Sequence, residues 1–358
     1  MNKKEVIGRS LGTALLIGSV ALGACTPSRD AENTPIATPR ISTEQKIPQT
    51  EQDWQLLPTQ ERISRLLKKD NPTFPEFDAF KELVKTTSEI FCQQATCYIN
   101  LEDMPSHVKL LSPETFLQAY EKTEGRTFSP AEKEVKKKDP EITVGSDSKD
   151  RTKREILINR QQIKEIAGNW TKDLSPQQKK ALGNYDAETL TTFSILLHSF
   201  GHLNQSEEEA NLPLTPIRVA NGIFAIDKVQ SLALKGINLS NNSMITLTGS
   251  NEGMTEIIAF SIGIKFSDAF VFSKGYYPTT KLIMEINKKA GITDQELQDY
   301  YFGKKPMIEL FKKWGSIKNP NQPDISSGIR MYHFAGLAPE NGLDKIIPII
   351  EQEMGQKF

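Results

Sequence analysis

The pattern of apolar and polar positions divides the chain into an apolar start, a polar stretch and a long periodic remainder. An apolar run covers Leu11–Ala24, whereas residues 26–53 are rich in Pro, Thr, Ser, Gln and charge and have almost no apolar periodicity. Such a polar stretch cannot bury enough apolar surface to offset the entropy of ordering it, so we expect a flexible tether. Folding is expected to begin near Trp54.

After Trp54 the apolar positions recur with helix or strand spacing. The predicted strands are 107–111 and Glu155–Asn159. The predicted helices are Thr59–Lys68, Glu76–Phe91, Glu114–Lys122, Gln161–Asn169, Ser175–Leu182, Asp186–Gln205, a helix opening at residues 251–256, Thr279–Ala290, Asp294–Phe302, Pro306–Trp314 and Gly342–Gly355. The polar stretch Arg126–Asp150 is predicted to be an exposed loop, residues 206–211 a solvated acidic turn, Ile217–Leu247 short strands or a hairpin, and Asn319–Ser327 a loop. Strands before the central helix and helices after it predict an α+β fold.

The most apolar of these helices carries two histidines near its end. Asp186 is a favourable N-cap for it, and His198 and His202 lie four residues apart, so both imidazoles leave the same face. Two imidazoles one turn apart form a metal clamp, and zinc is the usual occupant. Gly201 leaves room for another chain segment to approach closely. The alternative is that both are core histidines.

A second stretch, Asn251–Glu256, opens a buried helix with two carboxylates one turn apart, Glu252 and Glu256. Acidic residues are favoured in the first turn of any helix by the macrodipole, so a purely structural role is the alternative. Glutamate is also a common third protein ligand where two histidines bind zinc.

The two stretches together resemble the zincin metallopeptidases, specifically the glutamate-type zincins, over roughly His107–Lys313 in element order. The resemblance implies a small mixed sheet packed on a metal-site helix, followed by a mainly helical C-terminal half. It also implies that His198, His202 and Glu252 bind zinc, with Glu256 orienting a histidine. The reverse assignment of the two glutamates stays open. His333 is an outside candidate for an oxyanion contact in such a fold, although a structural role is favoured.

The resemblance has one departure, since the sequence reads HSFGH where zincins read His-Glu-x-x-His. Ser199 stands in place of the catalytic glutamate, and a serine hydroxyl is not a useful base near pH 7. This favours a metal-binding pseudopeptidase that acts in peptide or protein binding. The alternative is an active zinc-dependent peptidase in which another group, for instance Glu209, supplies the base. A helical surface lipoprotein without a site is a third possibility.

Composition narrows the function classes further. The chain has 37% hydrophobic and 25% charged residues, an ordinary globular balance. Its formal net charge of −1 gives no basic signature for nucleic acid or for an anionic membrane surface.

The N-terminus predicts a location outside the cytoplasm. Lys3, Lys4 and Arg9 precede the apolar run, which is too short to span a bilayer and reads as a secretory signal. The residues Leu-Gly-Ala-Cys that close it resemble a bacterial lipobox, so Cys25 is the expected lipidation site. In that oxidising compartment Cys92 and Cys97 are expected to form a local disulfide; a zinc half-site is the alternative.

The predicted organisation has four parts. Residues 1–24 are a lipoprotein signal peptide and 25–53 the tether that holds the protein at the membrane through its lipid. Residues 54–210 form the α+β part with the metal helix. Residues 211–358 form the mainly helical part that carries Glu252.

Overall fold

A computed structural model describes residues 48–144, 153–172, 176–205, 207–212, 215–220, 223–224, 245–246, 248–266 and 277–358. The predicted signal peptide, Cys25 and most of the predicted tether lie outside these residues, as does much of 217–247. Within the described ranges, no helix combines the length and the apolarity needed to cross a membrane.

The described residues form helices and two small sheets. The helices are α1 (Glu51–Gln55), α2 (Thr59–Leu67), α3 (Ala79–Gln94), a 3-10 turn (Met104–His107), α4 (Pro113–Glu124), α5 (Pro130–Lys136), α6 (Arg160–Lys172), α7 (Pro176–Leu182), α8 (Ala187–Asn204), α9 (Thr248–Gly263), α10 (Tyr277–Lys289), α11 (Asp294–Tyr301), α12 (Met307–Gly315), α13 (Ile325–Gly336), α14 (Ala338–Asn341) and α15 (Leu343–Met354). The strands are β1 (Val108–Leu111), β2 (Glu141–Val144), β3 (Glu155–Asn159), β4 (Glu207–Leu212), β5 (Thr215–Ala220), β6 (Ile223–Phe224) and β7 (Ile245–Thr246).

The first sheet is mixed and has the order β1-β3-β2. Strand β1 runs parallel to β3, and β2 runs antiparallel to it with Glu141 opposite Ile158. Ile156 and Ile158 of β3 point into the main core, whereas Leu157 packs with Phe116 and Tyr120 of α4 on the other face. This alternation follows from the two-residue period of a strand. The sheet and the surrounding helices confirm the α+β class.

The segment Arg126–Asp150 was predicted to be an exposed loop, but its described residues contain α5 and β2, so that prediction is wrong for them. Ser129 and Glu132 form a reciprocal capping box that starts α5, and β2 follows directly. The strand is only four residues long and begins with a charged residue, so its apolar pattern is too short to be recognised among lysines and glutamates. The difference matters because β2 packs beside the histidine helix.

Helix α8 lies at the centre of the fold. The Asp186 side chain caps it by accepting from the backbone N–H of Thr189 at 2.9 Å, as the sequence predicts. From Leu190 onwards nearly every residue is buried, because α3, α6, α9, β2 and β3 pack around the helix. Its histidines therefore lie in the interior rather than on an outer face.

The C-terminal half is helical, and it shares one apolar core with the N-terminal half, from Trp54 to Met354. The predicted closing helix over Gly342–Gly355 is confirmed as α15. The predicted loop over Asn319–Ser327 ends sooner than expected, because Asp324 caps α13 by accepting from the N–H of Ser326. Helix α13 was not predicted. A Cβ at Gly328 would lie 2.1 Å from the Phe311 carbonyl oxygen, so glycine permits the close contact of α12 and α13.

Residues Glu207–Leu212 form a strand that pairs with β5, so the predicted acidic turn is wrong. The charged residues hide the strand because they lower its apparent β-propensity. Short strands or a hairpin were predicted within 217–247, and β5, β6 and β7 confirm this prediction in part. These strands join β4 in an antiparallel sheet.

The predicted disulfide between Cys92 and Cys97 is present, with 5.2 Å between the Cα atoms. It closes the C-terminal end of α3. The next residue, Tyr98, donates its backbone N–H to Oδ1 of Asn204 at 2.8 Å. The crosslinked turn is therefore attached to the last residue of α8.

Candidate metal centre

Three ligand-type atoms from α8 and α9 meet at one point. Oε2 of Glu252 lies 2.9 Å from Nε2 of His198 and 3.1 Å from Nε2 of His202. The two imidazole nitrogens are themselves 3.1 Å apart. We call His198, His202 and Glu252 the triad; within the described part of the chain it is the group of three such residues able to hold a metal ion.

The other ring nitrogen of His198 faces Glu256. Nδ1 and Oε2 are 2.9 Å apart, so Nδ1–H donates to this carboxylate. That hydrogen bond leaves the lone pair of His198 on Nε2, directed at the meeting point. The structure therefore brings Glu252 to the shared point and Glu256 behind one imidazole.

The ring of His202 is oriented by a chain of hydroxyl groups. Thr255 Oγ1 donates to the carbonyl of Asn251 at 2.8 Å, and Tyr301 Oη lies 2.6 Å from Thr255 Oγ1. Because the Thr255 proton is already engaged, Tyr301 donates to Thr255 and offers a lone pair to Nδ1–H of His202, 3.5 Å away. This long contact again leaves the free lone pair on Nε2.

The triad has the dimensions of a zinc site. In a tetrahedral site with ligands about 2.0–2.1 Å from zinc, neighbouring ligand atoms are about 3.3–3.4 Å apart. The separations of 2.9 and 3.1 Å in the triad are a few tenths of an ångström shorter. Two histidines and one carboxylate also match the ligand set of catalytic zinc, which keeps a fourth position open. The residues present therefore fit the metal.

The electrostatics also favour a cation at this point. Burial alone would raise the pKa of Glu252, yet the adjacent imidazoles of His202 and His198 hold it well below its usual range. Burial alone would lower the pKa of His198, but hydrogen bonds to Glu252 and Glu256 raise it well above 6.5. The carboxylates thus stabilise a positive charge beside the imidazoles. A divalent metal ion bound to the imidazoles would supply that charge in place of a proton.

A further carboxylate, from Glu141 at the start of β2, lies beside the triad. Its Oε1 is 3.8 Å from Nε2 of His198, and its side chain is 16% exposed. Oε2 is buried and makes no hydrogen bond with the described residues. Burial raises the pKa of Glu141 to about 7. No pattern in the sequence points to this residue, because β2 itself was not predicted.

The remaining predicted residues, Ser199, Glu209 and His333, are not among the three that meet at this point. Ser199 is fully buried, and its hydroxyl donates to the Ile195 carbonyl at 2.8 Å. Glu209 lies on β4 and not on an extension of α8, which ends at Asn204. His333 lies on α13, where burial lowers its pKa to about 4, and its ring nitrogens make no hydrogen bond with described residues.

Two supports of the triad were missed in the sequence. Arg154 is fully buried, and its Nη1 donates to the carbonyls of His202, Leu203 and Gln205 at the end of α8. The side-chain amides of Gln205 and Asn251 hydrogen-bond reciprocally and join the ends of α8 and α9. An isolated arginine or amide carries no pattern from which its partner can be read.

The close contact predicted at Gly201 is present. A Cβ on this residue would lie 2.7 Å from Cγ2 of Thr255, so glycine lets α9 approach α8 beside the triad.

The chain matches no known family model, and no curated protein and no solved structure matches it either.

Proposed function

We propose that this protein is a zincin-like, zinc-dependent hydrolase of peptide bonds, anchored outside the cytoplasm by a lipid on Cys25. The observation that carries the proposal is the convergence of three lone-pair atoms, Nε2 of His198, Nε2 of His202 and Oε2 of Glu252, within 3.1 Å of one another. With both imidazoles neutral and their Nδ1–H groups engaged elsewhere, these lone pairs repel one another unless protons or a metal cation lie between them. Zinc suits this donor set and this spacing.

Two sets of residues would hold the metal: those that bind it and those that orient the binding side chains. His198, His202 and Glu252 would bind it, while Glu256 and Tyr301 fix the two imidazole orientations. Partners of this kind typically change metal affinity by about 10–100-fold. When bound, zinc would polarise the substrate carbonyl and lower the pKa of a coordinated water to about 7.

A peptide is the substrate class that best suits the surroundings. Strand β2 pairs with β3 along one edge, and no described strand pairs with its other edge. The backbone N–H and C=O groups of an edge strand can pair with an extended peptide. Since β2 also carries Glu141, a peptide added to this edge would pass close to the triad.

A second candidate is a zinc-containing pseudopeptidase that binds peptides without cleaving them. It is favoured by the burial of Ser199, whose hydroxyl is engaged within α8. Both candidates bind zinc at the triad. They differ only in whether a side chain is placed to accept a proton from a water in the open position.

The full-length protein, purified in detergent and loaded with zinc, should bind about one zinc per molecule and cleave members of a broad peptide library. Cleavage should stop with a chelator and return with added zinc. Bound zinc without any cleavage would favour the pseudopeptidase. A wild-type chain that binds no zinc would contradict both candidates.

Replacing Cys25 with serine should abolish incorporation of a labelled fatty acid and release the protein from the membrane fraction, or leave it unprocessed. The reason is that a lipid on this cysteine, and not an apolar spanning helix, is proposed to hold the protein at the membrane. Ser28→Ala, three residues away, is the matched control and should stay lipidated. A wild-type chain without lipid would contradict the anchor.

A further inference from the structure

We propose that Glu141 is the catalytic carboxylate of this site, taking the proton of the attacking water and returning it to the leaving amine. The inference rests on the proposed zinc-dependent hydrolysis and names the group that Ser199 does not supply. It is carried by the position of one side chain. Oε1 of Glu141 lies 3.8 Å from Nε2 of His198, and Oε2 is buried without a hydrogen bond to the described residues.

The distance separates Glu141 from the ligand set. Neighbouring ligand atoms in a tetrahedral zinc site are about 3.3–3.4 Å apart, and the triad is still tighter, whereas Glu141 is further from His198. A carboxylate just outside the ligand set can hydrogen-bond a water that occupies the open position. This is the place where a general base is required.

The surroundings of Glu141 do not explain it as a structural residue. A buried carboxylate is normally paired with a cation or satisfied by several hydrogen bonds, because leaving it unpaired costs several kcal/mol in principle. Among the described residues, no lysine or arginine forms an ion pair with Glu141; its titratable neighbour within 4.0 Å is His198, which also contacts Glu252 and Glu256. A water or substrate group in the open position would supply a donor to this carboxylate, whose Oε1 faces His198.

The fold holds Glu141 in this place from two sides. Backbone pairing to Ile158 fixes its register on β3, and the packing of β2 on α8 brings the strand end to His198. A residue on a paired strand is positioned more firmly than one on a loop. The carboxylate is therefore presented by the sheet, opposite the helix that supplies the imidazoles.

The proposed step balances without an external reagent. As the water oxygen bonds to the peptide carbonyl carbon, one water proton passes to the Glu141 carboxylate. When the carbon–nitrogen bond breaks, the electron pair leaves with nitrogen, and the Glu141 carboxyl returns its proton to that nitrogen. The products are a carboxylate peptide and an amine peptide after ordinary ionisation, and Glu141 is ionised again for the next turnover.

The test compares Glu141→Gln, which keeps the shape but cannot accept the proton, with two controls. Glu155→Gln removes an exposed carboxylate from the same sheet, and Ser199→Ala removes the hydroxyl in α8. Zinc affinity is measured by competition with a chelating dye. Binding of acetohydroxamic acid and of azide to the zinc-loaded proteins is measured by calorimetry, and peptide cleavage is measured alongside.

Glu141→Gln should keep zinc affinity within about threefold, because Glu141 is not a ligand in a site of this size. Hydroxamic acid must give up a proton on binding, so its affinity should fall by about tenfold or more, the usual loss of a hydrogen bond to a charged group. Azide has no proton to give and should bind as to the wild type. Cleavage should fall by about 10²–10⁴-fold. Both controls should behave as wild type.

Other results would overturn the assignment. If Glu141→Gln loses zinc as strongly as Glu252→Gln, Glu141 is a ligand. If hydroxamate affinity and cleavage are unchanged, it takes no part. A wild type that binds no zinc would overturn the proposed function itself. That outcome can be told apart from a failure of the Glu141 assignment, because every variant would then lack metal. If Glu141→Gln does not fold, Glu141→Asp replaces it; the withdrawn carboxylate should keep zinc and reduce cleavage, and unchanged cleavage would again overturn the role.

Discussion

Replacing His198, His202 or Glu252 singly with alanine should each weaken zinc binding by about 10²–10³-fold. Zinc binding to structural sites with four protein ligands is worth about 10–16 kcal/mol, so a single protein ligand contributes about 3 kcal/mol. Glu256→Gln should cost less, about 10–100-fold, because Glu256 acts through the orientation of His198. The graded order can be measured by competition with a chelating dye.

His333→Ala is the matched control for the histidine variants, because both ring nitrogens of the half-buried His333 are shielded from solvent but make no hydrogen bond to the triad. Its zinc affinity should equal that of the wild type. If Glu256→Gln proved more damaging than Glu252→Gln, the two glutamates would have to exchange roles. Undiminished zinc binding by all three triad variants would show that the metal is bound elsewhere.

Arg154→Met should lower the free energy of unfolding of the metal-free protein by about 3–5 kcal/mol. Methionine fills much of the same volume but leaves three carbonyls of the α8 end without the guanidinium that they share. Breaking a buried charged network typically costs this much, because the groups left behind are desolvated and unpaired. Urea unfolding followed by circular dichroism measures the change.

Arg154→Lys tests the reason for the expected loss. A lysine keeps the charge but has no planar fork, so it should recover only part of the stability. Arg126→Met removes an exposed arginine paired with Glu132, and such a surface pair is worth about 0–1 kcal/mol. If Arg154→Met and Arg126→Met had the same free energy of unfolding, the end of α8 would not depend on the Arg154 guanidinium for its stability.

Much of the fold and site could be read in the sequence where a short pattern has a local cause. The cap at Asp186, the four-residue spacing of His198 and His202, and the carboxylates at Glu252 and Glu256 all follow from helix geometry. Each of these features depends only on residues within one or two helical turns of one another in the sequence. The disulfide could be predicted for the same reason, since Cys92 and Cys97 are close along the chain.

The parts that could not be predicted depend on contacts between distant segments. Glu141 lies 57 residues before His198 in the sequence and becomes part of the site only because β2 joins a sheet edge. Arg154 donates to main-chain carbonyls, which every residue has, so the sequence does not indicate its partners. Helix α13 contains Gly328 and a serine pair, which lower helix propensity, and its packing on α12 outweighs that local preference.

The amide pair between Gln205 and Asn251 has a consequence for how this protein can diversify. It ties the end of α8 to the first turn of α9, so the segment between them begins and ends at fixed positions. Loop-closure entropy changes only slowly with length. Segments of other lengths and sequences could therefore be exchanged between these anchors, giving new surface specificities while the triad stays in register.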